Sequence, residues 1–316
     1  MDEFFLESCY HGVNFQSSRP LQRLFLEESY NCFVPRLLIK QIQLIDQPIL
    51  HYRDVEMTDL DIAPQQCRIS LPWRLTRNGE TLMYLAYAMI ERQHQINHML
   101  TAHAASVCGP TDQSGILLLG KEGSGKSLTA LKLCRDYGYR LGANDLAILC
   151  WHRSQVFVEA GTEFFFLRQE SVRRNLPDLA VQIPWQETAD SWLSKTKIKP
   201  EDLGIERFFK DNNRPYRIAK AYLMHVDETK TKVVVSPAPS LTTMLYLNEN
   251  FSRYIRNTCT TLLGGSNYEM LGYIPSFDQP EFYDFRRRLI ACLVNSLEIR
   301  HISGPLQGVA EYIATH

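Results

Sequence analysis

An α/β fold, preceded by a smaller β-rich region, is the architecture the 316-residue sequence predicts, and three observations carry it. From Thr101 onward, short apolar runs alternate with helical patterns, the order expected of a sheet covered by helices. Within that stretch Ile116-Leu117-Leu118-Leu119, a continuous apolar run of the kind found in strands buried on both faces, leads directly into Gly120-Lys121-Glu122-Gly123-Ser124-Gly125-Lys126-Ser127. Ahead of it, residues 1–75 mix short apolar runs with prolines at 20, 35, 48, 64 and 72, which favours short strands joined by turns.

In chain order, Cys32-Phe33-Val34, Leu37-Leu38-Ile39 and Ile49-Leu50 are the first strand candidates. Between Glu80 and His98, Leu82, Met83, Leu85, Ala86, Ala88, Met89 and Ile90 occur without glycine or proline, predicting a helix buried over most of its surface and polar at its end. A strand at 101–108, a turn at 109–115 and a strand at 116–119 follow, and then a helix from Ser127 to Asp136 with Leu128, Leu131 and Cys134 at helical spacing. Strands are expected at 139–143, 145–150 and 155–160, and a polar, proline-bearing excursion at 169–215. A strand pair at 219–226 and 232–235 comes next, then helices at about 241–263 and 280–295, a strand at 297–302 and a closing helix. The organisation expected is a region 1–99 ending in a buried helix and a domain 100–316.

Composition narrows the function classes. With 34 basic and 35 acidic residues the formal net charge is −1, which argues against a nucleic-acid or anionic-membrane binder. The eight cysteines are scattered, without a C-x-x-C pair or zinc-knuckle spacing. The first residues are acidic where a secretory leader is basic, and no apolar run reaches the roughly 18 residues of a membrane span, so a cytoplasmic setting is expected.

Residues 120–127 satisfy G-x-x-x-x-G-K-[ST] in full. Such a loop folds tightly on its glycines, so that successive backbone N–H groups converge on phosphate oxygens while the following helix adds its positive end. The pattern predicts that Gly120, Lys121, Glu122, Gly123, Ser124, Gly125, Lys126 and Ser127 cradle a nucleoside triphosphate, with Lys126 on the β- and γ-phosphates and the Ser127 hydroxyl on Mg²⁺. Phosphoryl transfer also needs a carboxylate near the γ-phosphate, and Asp145, 18 residues after Ser127, is the nearest candidate. His103 stands on the strand before the phosphate-loop strand. Each has a plainer reading, Asp145 as a turn former and His103 as a hydrogen-bonded core residue.

The histidine strand, the phosphate-loop strand and helix, and Gly138-Tyr139-Arg140-Leu141-Gly142-Ala143-Asn144-Asp145 together resemble the catalytic domain of HPr kinase/phosphorylase, whose relatives share a nucleotide-binding core with phosphoenolpyruvate carboxykinase. The likeness is strong over 100–150 and faint over 186–226, where Trp192, Lys197 and Pro200-Glu201-Asp202-Leu203-Gly204 are similar to a linker of small kinases of this type. It implies a kinase using ATP and Mg²⁺, with Asp145 as catalytic base and metal ligand, Lys126 on the γ-phosphate, Ser127 on Mg²⁺ and His103 in the active site. The acceptor it implies is a serine-like hydroxyl in a peptide or small metabolite, and it leaves a homo-oligomer open. One departure is that Asn144 stands where the family has a first acid, which weakens the reverse, phosphorylase reaction and leaves an ATP-binding regulator without transfer as the alternative. For the family's further glutamate ligand, Glu159 and Glu163 are both candidates, and Arg217 is a candidate phosphate contact.

Other features read more plainly. Glu91, His94 and His98 share a helical face that could bind zinc in principle, but a solvated face accounts for them better. Arg286-Arg287-Arg288 reads as solvated surface and Phe164-Phe165-Phe166 as a core strand.

Overall fold

The computed structural model describes residues 1–27, 30, 34–110, 114–185, 195–210, 214–258, 261–264 and 269–316, with the backbone alone at 261–264 and 269–273. It is mixed α/β, and its chain divides into two compact units. One comprises 1–102, 148–151 and 244–291, the other 103–147, 152–243 and 292–316. This differs from the 1–99 and 100–316 organisation expected from sequence, because 244–291 clusters with the N-terminal region. The contacts responsible are long-range ones that no local pattern displays. Arg286 donates to Gln95 Oε1 at 2.9 Å, and the Tyr87 and Tyr254 rings meet edge to face at 5.5 Å.

In the first unit, Asp2–Ser8 and His11–Ser17 form a hairpin closed by Cys9-Tyr10, both in left-handed conformation (φ 46° and 75°). Right-twisted strands joined by two residues require that geometry, for which Asn-Gly is the usual choice, so the turn leaves little mark in the sequence. The hairpin lies inside a six-stranded sheet in the spatial order Leu38–Lys40, Asp2–Ser8, His11–Ser17, Ile49–Arg53, Gln66–Ser70, Asp59–Ile62. Phe4 stacks on Phe15 at 5.0 Å, and Phe25 meets both rings edge-on. The expected strand at 32–34 falls partly outside the described residues, and Val34 lies in no strand.

Helix Glu80–Ile96 buries Leu82, Met83, Leu85, Ala86, Met89 and Ile90 as expected, but its polar end is not a solvated face. Glu91 and His94 are fully buried, and only His98 of that trio is exposed. Glu91 accepts from the N–H and hydroxyl of Thr101 and from Gln95 Nε2, and lies 3.3 Å from His94 Nδ1. Burying a carboxylate demands donors of this kind, and the Thr101 N–H and hydroxyl and the Gln95 amide supply three. Arg286 is likewise not surface: it is fully buried, with Nη2 2.7 Å from Asp278.

The second unit carries the phosphate-loop motif. Strands Arg140–Ala143, Ala105–Cys108, Gly115–Leu119 and Tyr216–Val226 stand side by side in that order. The first two pairings are antiparallel and the third parallel. Ile299–Gly304 adds in parallel to the other edge of Tyr216–Val226, and Val234–Pro237 pairs with Ile299–Gly304. The strands expected at 219–226 and 232–235 therefore exist, but the C-terminal strand lies between them. Helices Lys126–Tyr137 and Leu306–Thr315 pack on this sheet, burying Leu128, Leu131, Leu133, Val309, Ala310 and Ile313 against Val107, Ile116, Leu118 and Met224. Each large aliphatic buried this way contributes about 1.5–3 kcal/mol before the entropy of ordering is subtracted.

Two expected elements are shorter than drawn from sequence. The strand at 101–108 is two strands, Met99–His103 and Ala105–Cys108, broken at Ala104. The helix at 241–263 runs only over Ser240–Ser252, after which Asn257 (φ 57°) turns the chain and Thr261–Gly264 is a strand. Of the Phe164-Phe165-Phe166 run, only Phe165 is fully buried, on strand Phe165–Arg168.

Candidate functional site: a phosphate loop beside a histidine–aspartate pair

Leu119 ends its strand and the chain enters a tight loop whose conformation depends on glycine. Gly120, Gly123 and Gly125 have φ of 153°, 77° and 91°. At Gly125 a Cβ would lie 2.4 Å from Val226 Cγ2, whereas at Gly123 it would meet nothing within 4 Å. One wall of the loop is thus closed by protein and the other is open. Val226 N–H donates to Ser124 O at 2.9 Å, tying the loop to the end of its neighbouring strand.

Helix Lys126–Tyr137 begins directly behind the loop, and its N-cap, Gly125, has no side chain with which to satisfy the first-turn N–H groups. Those donors and the positive end of the helix face the loop, an arrangement that favours an anion. Lys126 is 6% exposed, and its ammonium donates to Gly120 O at 2.9 Å and Lys121 O at 3.1 Å. Phosphate oxygens would be stronger acceptors for this ammonium than carbonyls are. Ser124 is buried and its Oγ has no hydrogen-bond partner among the described residues. Ser127, half-buried in the first helical turn, is placed where a hydroxyl could join a cation's shell. These features fit a triphosphate with Mg²⁺.

The strand register places the other candidates. Ala105 lies opposite Leu118, so His103, two residues before it, leaves the sheet at the same end as Gly120. On the far side, Ala143 lies opposite Ser106, and Ala104 N–H donates to Asp145 O at 3.0 Å. The main chain at Asp145 is therefore two strand spacings, about 10 Å, from the end of the phosphate-loop strand. His103 Nε2 is 3.0 Å from Asp145 Oδ1, with side-chain exposures of 14% and 46%.

Thr162, which no sequence motif singles out, holds this turn. Its hydroxyl accepts from the N–H groups of Asp145 (3.2 Å) and Leu146 (2.9 Å), and its carbonyl accepts from Asn144 N–H at 2.7 Å. Asn144 is buried, and its Nδ2 donates to Phe164 O at 2.8 Å. A carboxylate cannot donate that bond, which gives the amide at this position a structural reason. Asn144 Oδ1 is buried with no partner among the described residues.

The remaining candidates are not all gathered. Arg217 stands opposite Phe157, while Leu119 is level with Leu223, six residues and about 20 Å further along the strand, so Arg217 is at the wrong end for the phosphate loop. Glu163 is held by Arg207 at 2.6 Å, and Glu159 is half-buried at mid-strand in Gln155–Gly161. Lys197 lies 4.2 Å over the Phe164 ring, Pro200–Leu203 is a 3₁₀ turn closed by Gly204 (φ 67°), and Trp192 falls outside the described residues. Among the described residues no group of three or more His, Cys, Asp or Glu side chains is arranged to hold a metal ion. Among them also, no helix is long and apolar enough to cross a membrane. Neither a scan against protein-family models nor a search of curated proteins returns a match to this chain.

Proposed function

We propose that this protein is an ATP- and Mg²⁺-dependent kinase that transfers the γ-phosphoryl group to a serine-like hydroxyl of a peptide or small molecule. The observation that carries the reading is the convergence of the phosphate loop, His103 and Asp145 at one end of three adjacent strands. The loop amides and Lys126 would bind the triphosphate, and Lys126 would exchange its carbonyl acceptors for phosphate oxygens. Ser127 and Asp145 would hold Mg²⁺, which when bound neutralises phosphate charge and is commonly kept by one or two protein ligands together with phosphates and water. Asp145 would take the proton from the acceptor hydroxyl, and His103, at hydrogen-bond distance, would fix the orientation of that carboxylate. Thr162 would hold the turn that presents it. Positioning and charge stabilisation supply most of the rate in this chemistry, so a preformed arrangement is what such an enzyme needs.

The test is incubation with γ-labelled ATP and Mg²⁺ against panels of hydroxyl-bearing peptides and metabolites, comparing wild type with Asp145→Asn. The expected result is transfer by wild type and a loss of about 10²–10⁴-fold in the variant, with affinity for metal-free ATP little changed. ATP binding without transfer to any acceptor would instead favour a nucleotide-dependent regulator.

A further inference from the structure

Strands Phe165–Arg168 and Lys195–Ile198 form a two-stranded antiparallel pair in which Arg168 lies directly opposite Lys195. Like charges facing each other across two strands repel, so an anion beside this rung is favoured. The anion present is Glu122, in the phosphate loop itself: its Oε1 is 3.6 Å from Arg168 Nη2 and 3.7 Å from Lys195 Nζ. Both distances exceed hydrogen-bond length, and the three side chains are 39%, 44% and 68% exposed, so charge alone holds the carboxylate there and solvent screens it. Such a contact is readily exchanged.

We infer that Arg168 and Lys195 form a cationic clamp for the terminal phosphate of a bound nucleoside triphosphate, and that Glu122 occupies the clamp when no triphosphate is bound. The inference rests on the reading of residues 120–127 as a phosphate loop. Glu122 is two residues from Gly120, whose carbonyl accepts from Lys126, so the clamp closes over the same short loop that presents the lysine. A terminal phosphate carries more charge than a carboxylate and has three oxygens with which to bridge the two cations. A guanidinium supplied from another part of the chain is a recurrent means of stabilising charge that develops during phosphoryl transfer. A diphosphate lacks the group that would displace Glu122, so the clamp distinguishes ATP from ADP.

The experiment is calorimetric titration of the full chain with ATP and with ADP, each with Mg²⁺, for wild type, the double variant Arg168→Gln/Lys195→Gln, and Glu122→Gln. In the double variant ATP affinity is expected to fall about tenfold or more while ADP affinity stays within about twofold. In Glu122→Gln, where the competing carboxylate is gone, ATP binds several-fold tighter and ADP is unchanged. Thermal melting of the variants checks that these half-exposed substitutions leave the fold intact. An unchanged ATP affinity in the double variant, or an equal loss for ATP and ADP, overturns the clamp while leaving the phosphate loop standing. Failure of wild type to bind either nucleotide overturns the phosphate-loop reading and the clamp with it.

Discussion

Asn144 shows how one atom type decides what a position can do. Its amide nitrogen donates to Phe164 O in a buried setting, next to the residue proposed as base. Placing an acid there, Asn144→Asp, is expected to cost about 1–3 kcal/mol, because the donor is lost and a buried carboxyl faces a carbonyl oxygen. Urea unfolding measures the cost. Burial would raise the pKa of the introduced acid, so the cost should grow as pH rises and the group is forced to ionise. The sequence singles out His103 and Asp145 because they flank the motif, and the structure pairs their side chains at 3.0 Å. The contacts of Thr162, Arg168 and Lys195 leave no mark in the sequence, since each reaches its partner across the fold and not along a local period.

At the scale of elements, the motif predicted its own surroundings well: strand Gly115–Leu119, the loop and helix Lys126–Tyr137 are where the pattern of apolar residues and glycines put them. The helix carries a pH-dependent contribution near its C-terminal end. Burial works to raise the pKa of Asp136, but hydrogen bonds from Arg135 and from Lys132, the latter at 2.7 Å, outweigh it and leave the carboxyl below its ordinary value. A depressed folded-state pKa means stability that is present above the unfolded value and lost as pH falls through the folded one. Asp136→Asn should therefore cost about 0.5–1 kcal/mol at pH 7, modest because solvent screens the pair, and the difference from wild type should fade below about pH 4. Denaturant midpoints at a series of pH values test it. Elements that the sequence left unread or overdrawn have physical reasons. The Cys9-Tyr10 turn adopts left-handed geometry without glycine, and the 241–263 pattern ends as a helix at Ser252, ahead of the turn at Asn257.

For the whole molecule, the chain's division into two units was only half visible, because 244–291 leaves the second unit and joins the first through contacts such as Arg286 with Gln95 and Asp278. Removing a fully buried guanidinium strands its partners, so Arg286→Ala is expected to destabilise the first unit by about 3 kcal/mol. The phosphate loop, His103, Asp145, Thr162 and the Arg168–Lys195 rung all belong to the second unit. ATP affinity of Arg286→Ala, measured below its unfolding transition, should therefore stay within about twofold of wild type, well under the tenfold that 1.4 kcal/mol represents.

The measurement that bears most directly on the account is a crystal structure with Mg²⁺ and a non-hydrolysable ATP analogue. The β- and γ-phosphates are expected on the amides of residues 122–127, with Lys126 released from Gly120 O and Lys121 O and the Asp145 carboxylate reaching the γ-phosphate directly or through the metal and a water. A triphosphate bound elsewhere, or one seated on the loop with Asp145 turned away beyond that reach, would contradict it.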